Sequence, residues 1–139
     1  MPTRDGRSDA QAYKDLALQM RLKDTLRGKM LRDESNAGDS DYSGGGWYED
    51  KHISIQLFAD MSFRWERYVF RSIRTGTHSA PSERRDRREG EWDVRVRNDV
   101  AELILTADGE EFARWRTRDA GTGAQELNGR VWKRYLMKS

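Results

Sequence analysis

The chain has 139 residues, 35 % of them hydrophobic and 36 % charged, with a formal net charge of +2. That length suits one domain, and near-balanced charge favours a folded domain with a heavily charged surface over a disordered polyelectrolyte. There is no cysteine, which excludes a disulfide framework and thiolate chemistry, and no apolar run approaches the roughly 18 residues of a membrane-spanning helix.

The opening segment MPTRDGRSDAQ lacks the apolar stretch of a secretory signal, so cytoplasmic residence is expected. Ser8-Asp9-Ala10-Gln11 reads as a capping box, with Ser8 as N-cap and Gln11 at the third helical position. Tyr13, Leu16, Ala17 and Met20 follow at i, i+3, i+4 and i+7. A helix from Asp9 to about Thr25 is predicted, docked through those four side chains and ended by Gly28. LRGKMLRDES, from Leu26 to Ser35, is the expected first strand, and Asn36 to Gly46 is a loop by composition.

HISIQLF alternates, with Ile53, Ile55 and Leu57 on one face. Ala59-Asp60 makes a tight connection into SFRWERYVF. There the apolar phase runs Phe63, Trp65 and then Tyr68, Phe70, which predicts a bulge or bend near Arg67. Arg74 to Gly90 reads as a long, mobile polar connection. EWDVRV and AELIL alternate again, and Asp108-Gly109 is a hairpin turn into EEFARWRTR. DAGTGA is a loop. Leu127, the Asn128-Gly129 turn and RVWKRYLM form the last hairpin.

One helix followed by seven or eight antiparallel strands, with no β/α alternation, predicts a mainly β fold: an up-and-down barrel that leaves no exposed edges. A flattened sandwich is the alternative. Residues 1–25 would form the tail and amphipathic helix and residues 26–139 the barrel domain.

Gly45-Gly46-Trp47, followed by the aromatic Tyr48, resembles the Gly-x-Trp signature of the lipocalins, and Arg134 matches the late arginine that packs over that tryptophan. The resemblance spans Leu26 to Met137 and implies a lipocalin-like (calycin) barrel that holds a small apolar ligand. Two features depart from the pattern. The helix precedes the barrel, and Trp47 follows the expected first strand instead of opening it.

Little in the chain points to catalysis. His52 and His78 are the only histidines, and a metal site would need carboxylates such as Asp50 beside them. The serines of DSDYSGGG have no base at informative spacing. Glu110 and Glu111 are neighbours in a strand and point to opposite faces. Gly44 to Gly46 is followed by neither Lys-Ser/Thr nor a helix start. No enzyme, metal or cofactor is expected.

Charge is uneven: residues 64–97 hold ten cations and six anions, whereas residues 1–63 hold nine and eleven. Arg84, Arg85, Arg87 and Arg88 could contact phosphates, but Glu83, Asp86, Glu89 and Glu91 lie among them, so a solvated loop is preferred. Phe63, Trp65, Trp92 and Trp115 lie within strands and are expected to fill the barrel. With Trp47 and Arg134 they are the ligand-binding candidates. RVWKRYLM reads as a terminal barrel strand with Trp132 and Arg134 on one face, and Arg134 over Trp47; the alternative has Arg134 in solvent and Tyr135 in the core.

The leading expectation is a non-enzymatic binding module for a small apolar ligand. The alternatives are a protein-interaction or scaffold domain using the N-terminal helix, and nucleic-acid binding through the Arg-rich loops.

Overall fold

The computed structural model describes residues 6–40, 45–75 and 78–137. Helix α1 (Asp9–Leu26) precedes eight strands: β1 (Lys29–Ser40), β2 (Gly46–Leu57), β3 (Ser62–Thr75), β4 (His78–Arg97), β5 (Val100–Ala107), β6 (Glu110–Asp119), β7 (Ala124–Leu127) and β8 (Arg130–Leu136). Each strand pairs antiparallel with the next, and β8 returns to β1, so the sheet closes as an up-and-down barrel. The closing pairs are Lys29 with Leu136 through Arg32 with Lys133.

The predicted turns form where residues that tolerate positive φ occur. Asp108-Gly109 adopts φ of 54° and 78°, and Asn128-Gly129 adopts 51° and 83°. Asn98-Asp99 makes a third such turn, at 50° and 68°. Leu31, Ile55, Leu57, Phe63, Trp92, Val94, Val96, Leu103, Leu105, Leu127 and Trp132 all point into the core.

Three expectations require correction. The first is the polar stretch from Arg74 to Gly90, expected as a loop. Its described residues belong to β3 and β4, which pair without a break from Ser62–Glu91 to Thr75–His78. The sequence there is polar because both faces of the sheet meet water, so pairing forms the strand without any apolar alternation. Similarly, β1 runs on to Ser40 through residues expected as loop, while residues 41–44 of that loop lie outside the described residues.

The second concerns the bulge near Arg67. β3 keeps one register against both neighbours throughout. Its apolar phase changes because Trp65 still faces the core side, whereas Tyr68 and Phe70 sit on the outer face beyond the barrel. The register shift lies in β6, where Leu105 pairs with Ala113 and Thr106 with Glu111, which leaves Phe112 as the extra residue.

The third concerns α1. Tyr13, Leu16, Ala17 and Met20 do not dock: all four lie on the solvent face. The buried face carries Asp15, Leu22 and Leu26, with Leu18 partly buried beside them. A buried aspartate in the middle of that face hid it from an apolar count.

β4 has two lives. From His78 to Glu91 it pairs with β3, and from Glu91 to Arg97 with β5. The change of partner occurs beside Gly90, where a Cβ would stand 2.0 Å from the Thr106 carbonyl oxygen and 3.0 Å from Phe63 Cε1. Only glycine fits that close approach, as expected at a barrel corner. Since β8 meets β1 only over Lys29–Arg32, the distal parts of β1 to β4 project from the barrel as a free four-stranded sheet.

Candidate functional site

The barrel interior is occupied by side chains. Phe63 and Trp92 are buried, and Trp92 Nε1 donates to the Phe58 carbonyl at 2.9 Å. Trp65 is partly buried and meets Phe112 edge-on at 5.1 Å between centroids, with Phe63 and Phe112 stacked at 6.3 Å. Trp115 is partly buried and lies 6.4 Å from Trp132, which is itself buried. Four of the six candidate ligand residues therefore belong to one packed aromatic core.

Trp47 and Arg134 do not meet. Trp47 pairs with Asp39 at the distal end of β1, and Arg134 with Leu31 at its proximal end. Eight residues of strand separate those positions, roughly 26 Å. Trp47 is 47 % exposed. The Arg134 side chain turns inward and donates to Gln125 Oε1 at 2.7 Å and to the Ala124 carbonyl at 3.1 Å. It thus pins the β6–β7 loop, with Asp119 3.4 Å away. Gln125 in turn donates to Thr117 Oγ1 at 2.6 Å, which satisfies a buried polar pair. Tyr135 is exposed.

His52 Nε2 lies 2.8 Å from Asp50 Oδ2, and the ring stacks on Tyr68 at 6.0 Å. Among the described residues, no three His, Asp or Glu side chains converge as metal ligands. His78 begins β4.

The surface that stands out is α1. Ser8 caps it, accepting from the Gln11 amide at 3.1 Å, and Gly28 at φ +73° ends it. Its C-terminal half is held by apolar burial of Leu22 and Leu26. Its N-terminal half is held by a polar latch that the sequence reading missed. The Asp15 carboxylate, only 1 % exposed, accepts the Asn98 amide at 2.8 Å and the Asp99 amide at 2.9 Å, both in the β4–β5 turn. Arg7 donates to the same carboxylate at 2.7 Å and Gln11 at 2.8 Å. Burial pushes the Asp15 pKa up, but these hydrogen bonds outweigh it and hold the group well below the usual carboxylate range.

The helix also completes a sheet edge. β3 stops pairing at Ser62 and the Met61 carbonyl accepts the Trp92 amide at 2.8 Å, which leaves that edge of β4 open beyond Trp92. Gln19 Oε1 accepts the Val96 amide there at 3.3 Å, and Lys23 pairs with Asp93 at 2.9 Å. The one sequence sign of this arrangement is the i, i+4, i+7, i+11, i+15 row Gln11, Asp15, Leu18, Leu22, Leu26, half polar and so easily passed over.

With that inner face tied down, the opposite face is open. Tyr13 is 77 % exposed, Leu16 52 % and Met20 59 %. At 100° per residue these side chains and Ala17 point about 170° away from the anchored row. Among the described residues, no helix is long and apolar enough to cross a membrane. No protein-family model, curated protein or solved structure matches this chain.

Proposed function

We propose that this chain is a non-enzymatic interaction module: a calycin-like barrel that mounts α1 rigidly and offers Tyr13, Leu16, Ala17 and Met20 to an amphipathic helix of a partner protein. The carrying observation is the exposed apolar stripe on a helix whose other face is fully engaged. Burying Leu16 and Met20 stabilises a complex by roughly 1.5–3 kcal/mol each before the costs of association. The spacing i, i+3, i+4, i+7 is that of one helix packed along another, and Ala17 at its middle permits close approach.

Charge favours a different chain over a second copy. An antiparallel pair centred on Leu16 and Ala17 would set Asp9 against Asp24 and bring the Lys14/Arg21 flank against itself. Such like-charge contacts disfavour association. The same flank suits acidic residues bordering the partner's apolar stripe. What weighs against a small apolar ligand inside the barrel is that Phe63, Trp92, Trp132, Leu103 and Leu105 already occupy the interior.

The test is site-specific photo-crosslinking from position 16, with position 131 as an exposed control elsewhere on the surface. The expected result is one adduct from position 16 only, and binding of the purified partner helix weakened at least tenfold by Leu16→Glu. A self-adduct with a dimeric mass by light scattering would overturn the proposal, as would a stoichiometric small molecule in native mass spectra with no protein adduct.

A further inference from the structure

The arginine-rich segment is a strand, so its side chains part to two faces. Register settles which goes where. Arg88 shares a row with Leu31, Ile55 and Trp65, and Arg84 with Ser35, Lys51 and Val69. Leu31 and Ile55 point into the barrel, so Arg84 and Arg88 lie on the sheet face that continues the barrel interior. Glu83, Arg85, Arg87 and Glu89 take the outer face.

That division separates charge. Among the described side chains of the projecting sheet, the inner face holds Lys51, Arg67, Arg71, Arg84 and Arg88 against Asp33, Glu49 and Asp86, five cations to three carboxylates. The outer face is balanced, with Arg32, Arg64, Arg74, Arg85 and Arg87 against Glu34, Asp50, Glu66, Glu83 and Glu89. Outer pairs such as Arg64–Glu89 at 3.1 Å and Arg85–Glu83 at 3.1 Å hold that balance locally.

The inner carboxylates are already engaged. Asp33 pairs with Arg130 at 2.8 Å and Glu49 with Arg71 at 2.7 Å. Asp86 is shared by Arg67 at 2.7 Å and Arg84 at 3.3 Å. Lys51 and Arg88 pair with no carboxylate among the described residues. Lys51, Arg67, Arg71 and Arg84 line one groove of about 270 Å³ together with Val69, Ser82 and two carboxylates, Glu49 and, reaching in from the edge strand, Glu83. Trp47 and Ile73, both exposed, continue the same face toward the tip of the sheet.

We infer that the inner face of the projecting sheet binds single-stranded nucleic acid, with Lys51, Arg88 and the Arg67 and Arg84 pair that shares one carboxylate on phosphates, and Trp47 stacking on a base. Sheet faces that interleave cations with exposed rings receive splayed single strands, since every base has a π-face to stack. Duplex DNA would require a helix or two-stranded ribbon entering a groove, which a four-stranded face does not offer. An acidic protein surface would use the cations and leave the exposed indole without a role. This inference concerns a different surface from α1, which packs where β4 pairs with β5.

The experiment is fluorescence anisotropy of the full chain with labelled oligo(dT) of about 20 nucleotides, titrated with salt, alongside a glutamate peptide of equal length. Oligo(dT) is expected to bind with a log–log salt slope of roughly −2 to −3, for three or four phosphate contacts. Arg84→Ala with Arg88→Ala should weaken binding about tenfold or more and flatten the slope by roughly 1. Arg85→Ala with Arg87→Ala, from the same segment but the opposite face, should stay within about twofold. Should the inner double variant fail to fold, Lys51→Ala supplies the same comparison, and Trp47→Ala should remove the quenching of indole fluorescence. Three outcomes would overturn the inference: no binding of oligo(dT) at low salt, equal losses for the inner and outer variants, or equal affinity for the glutamate peptide.

Discussion

β4 contains both halves of this molecule in one strand. From Trp92 to Arg97 it alternates buried and exposed, with Trp92, Val94 and Val96 in the core. From His78 to Glu89 none of its residues is buried, yet it pairs with β3 residue for residue. The proximal half is held by the hydrophobic effect acting on one face. The distal half is held by backbone hydrogen bonds, cross-strand contacts and ion pairs in water, each of which contributes little alone. An apolar alternation therefore reports a sheet with two unlike faces, not a strand as such.

That contrast predicts a ladder of effects. Trp92→Ala should be the most damaging change, at about 3–5 kcal/mol by urea unfolding, since it removes the largest fully buried side chain of the core. A cost under about 1 kcal/mol would show that the interior is not tightly packed. Gly90→Ala should follow, at roughly 2–4 kcal/mol, because the new methyl meets backbone at Thr106 and cannot be relieved by a side-chain rotation. If it were tolerated, the corner between the two halves would be looser than the close approach implies.

Asp15→Asn should lower the melting temperature by about 5–10 °C. Amide exchange at Asn98 and Asp99 should accelerate, since those groups donate to the lost charge. The pH dependence has a definite sign. The folded-state pKa of Asp15 is depressed, so its contribution is complete above the ordinary value of 3.8 and is lost as pH falls through the folded value. The melting-temperature gap between the native chain and Asp15→Asn should therefore be constant above about pH 5 and shrink below pH 4. A gap that grew on acidification would contradict the latch.

The smallest effects belong to the projecting sheet and the helix stripe. Ile73→Ser and Leu16→Glu should each change stability by no more than about 0.5 kcal/mol, as both side chains are largely exposed. Hydrogen exchange would sharpen the comparison within β4 itself: amides of residues 78–89 should exchange at least about a hundredfold faster than those of 92–97. Equal protection along the strand would mean that the projecting sheet opens only when the barrel does.

The candidate surface on α1 was legible in part. Tyr13, Leu16, Ala17 and Met20 form one helical face in the sequence, and that is correct. Their direction was not legible. Periodicity gives the face but not the side of the molecule on which it lies, and apolar faces are normally assigned to the core. Here Leu22 and Leu26 supply enough apolar contact for the C-terminal half, while Asp15 anchors the N-terminal half by charge and hydrogen bonds. No sequence pattern shows that the two amides 83 and 84 residues further along the chain will meet that carboxylate.

By itself the sequence determined the elements whose causes are local. These are the capped helix, the turns at Asp108-Gly109 and Asn128-Gly129, and the alternating strands whose inner residues now fill the barrel. They follow from positive-φ tolerance, capping and one-sided burial, all of which act within a few residues. Only the tertiary structure decided what depends on distant partners. Closure of β8 on β1 set the barrel at eight strands. Pairing with β3 made a strand of the arginine-rich segment and sent Arg84 and Arg88 to one face and Arg85 and Arg87 to the other. The β4–β5 turn claimed Asp15 and so turned the apolar stripe of α1 outward. In each case the deciding interaction joins residues far apart in the chain, and its energy appears only when the fold brings them together.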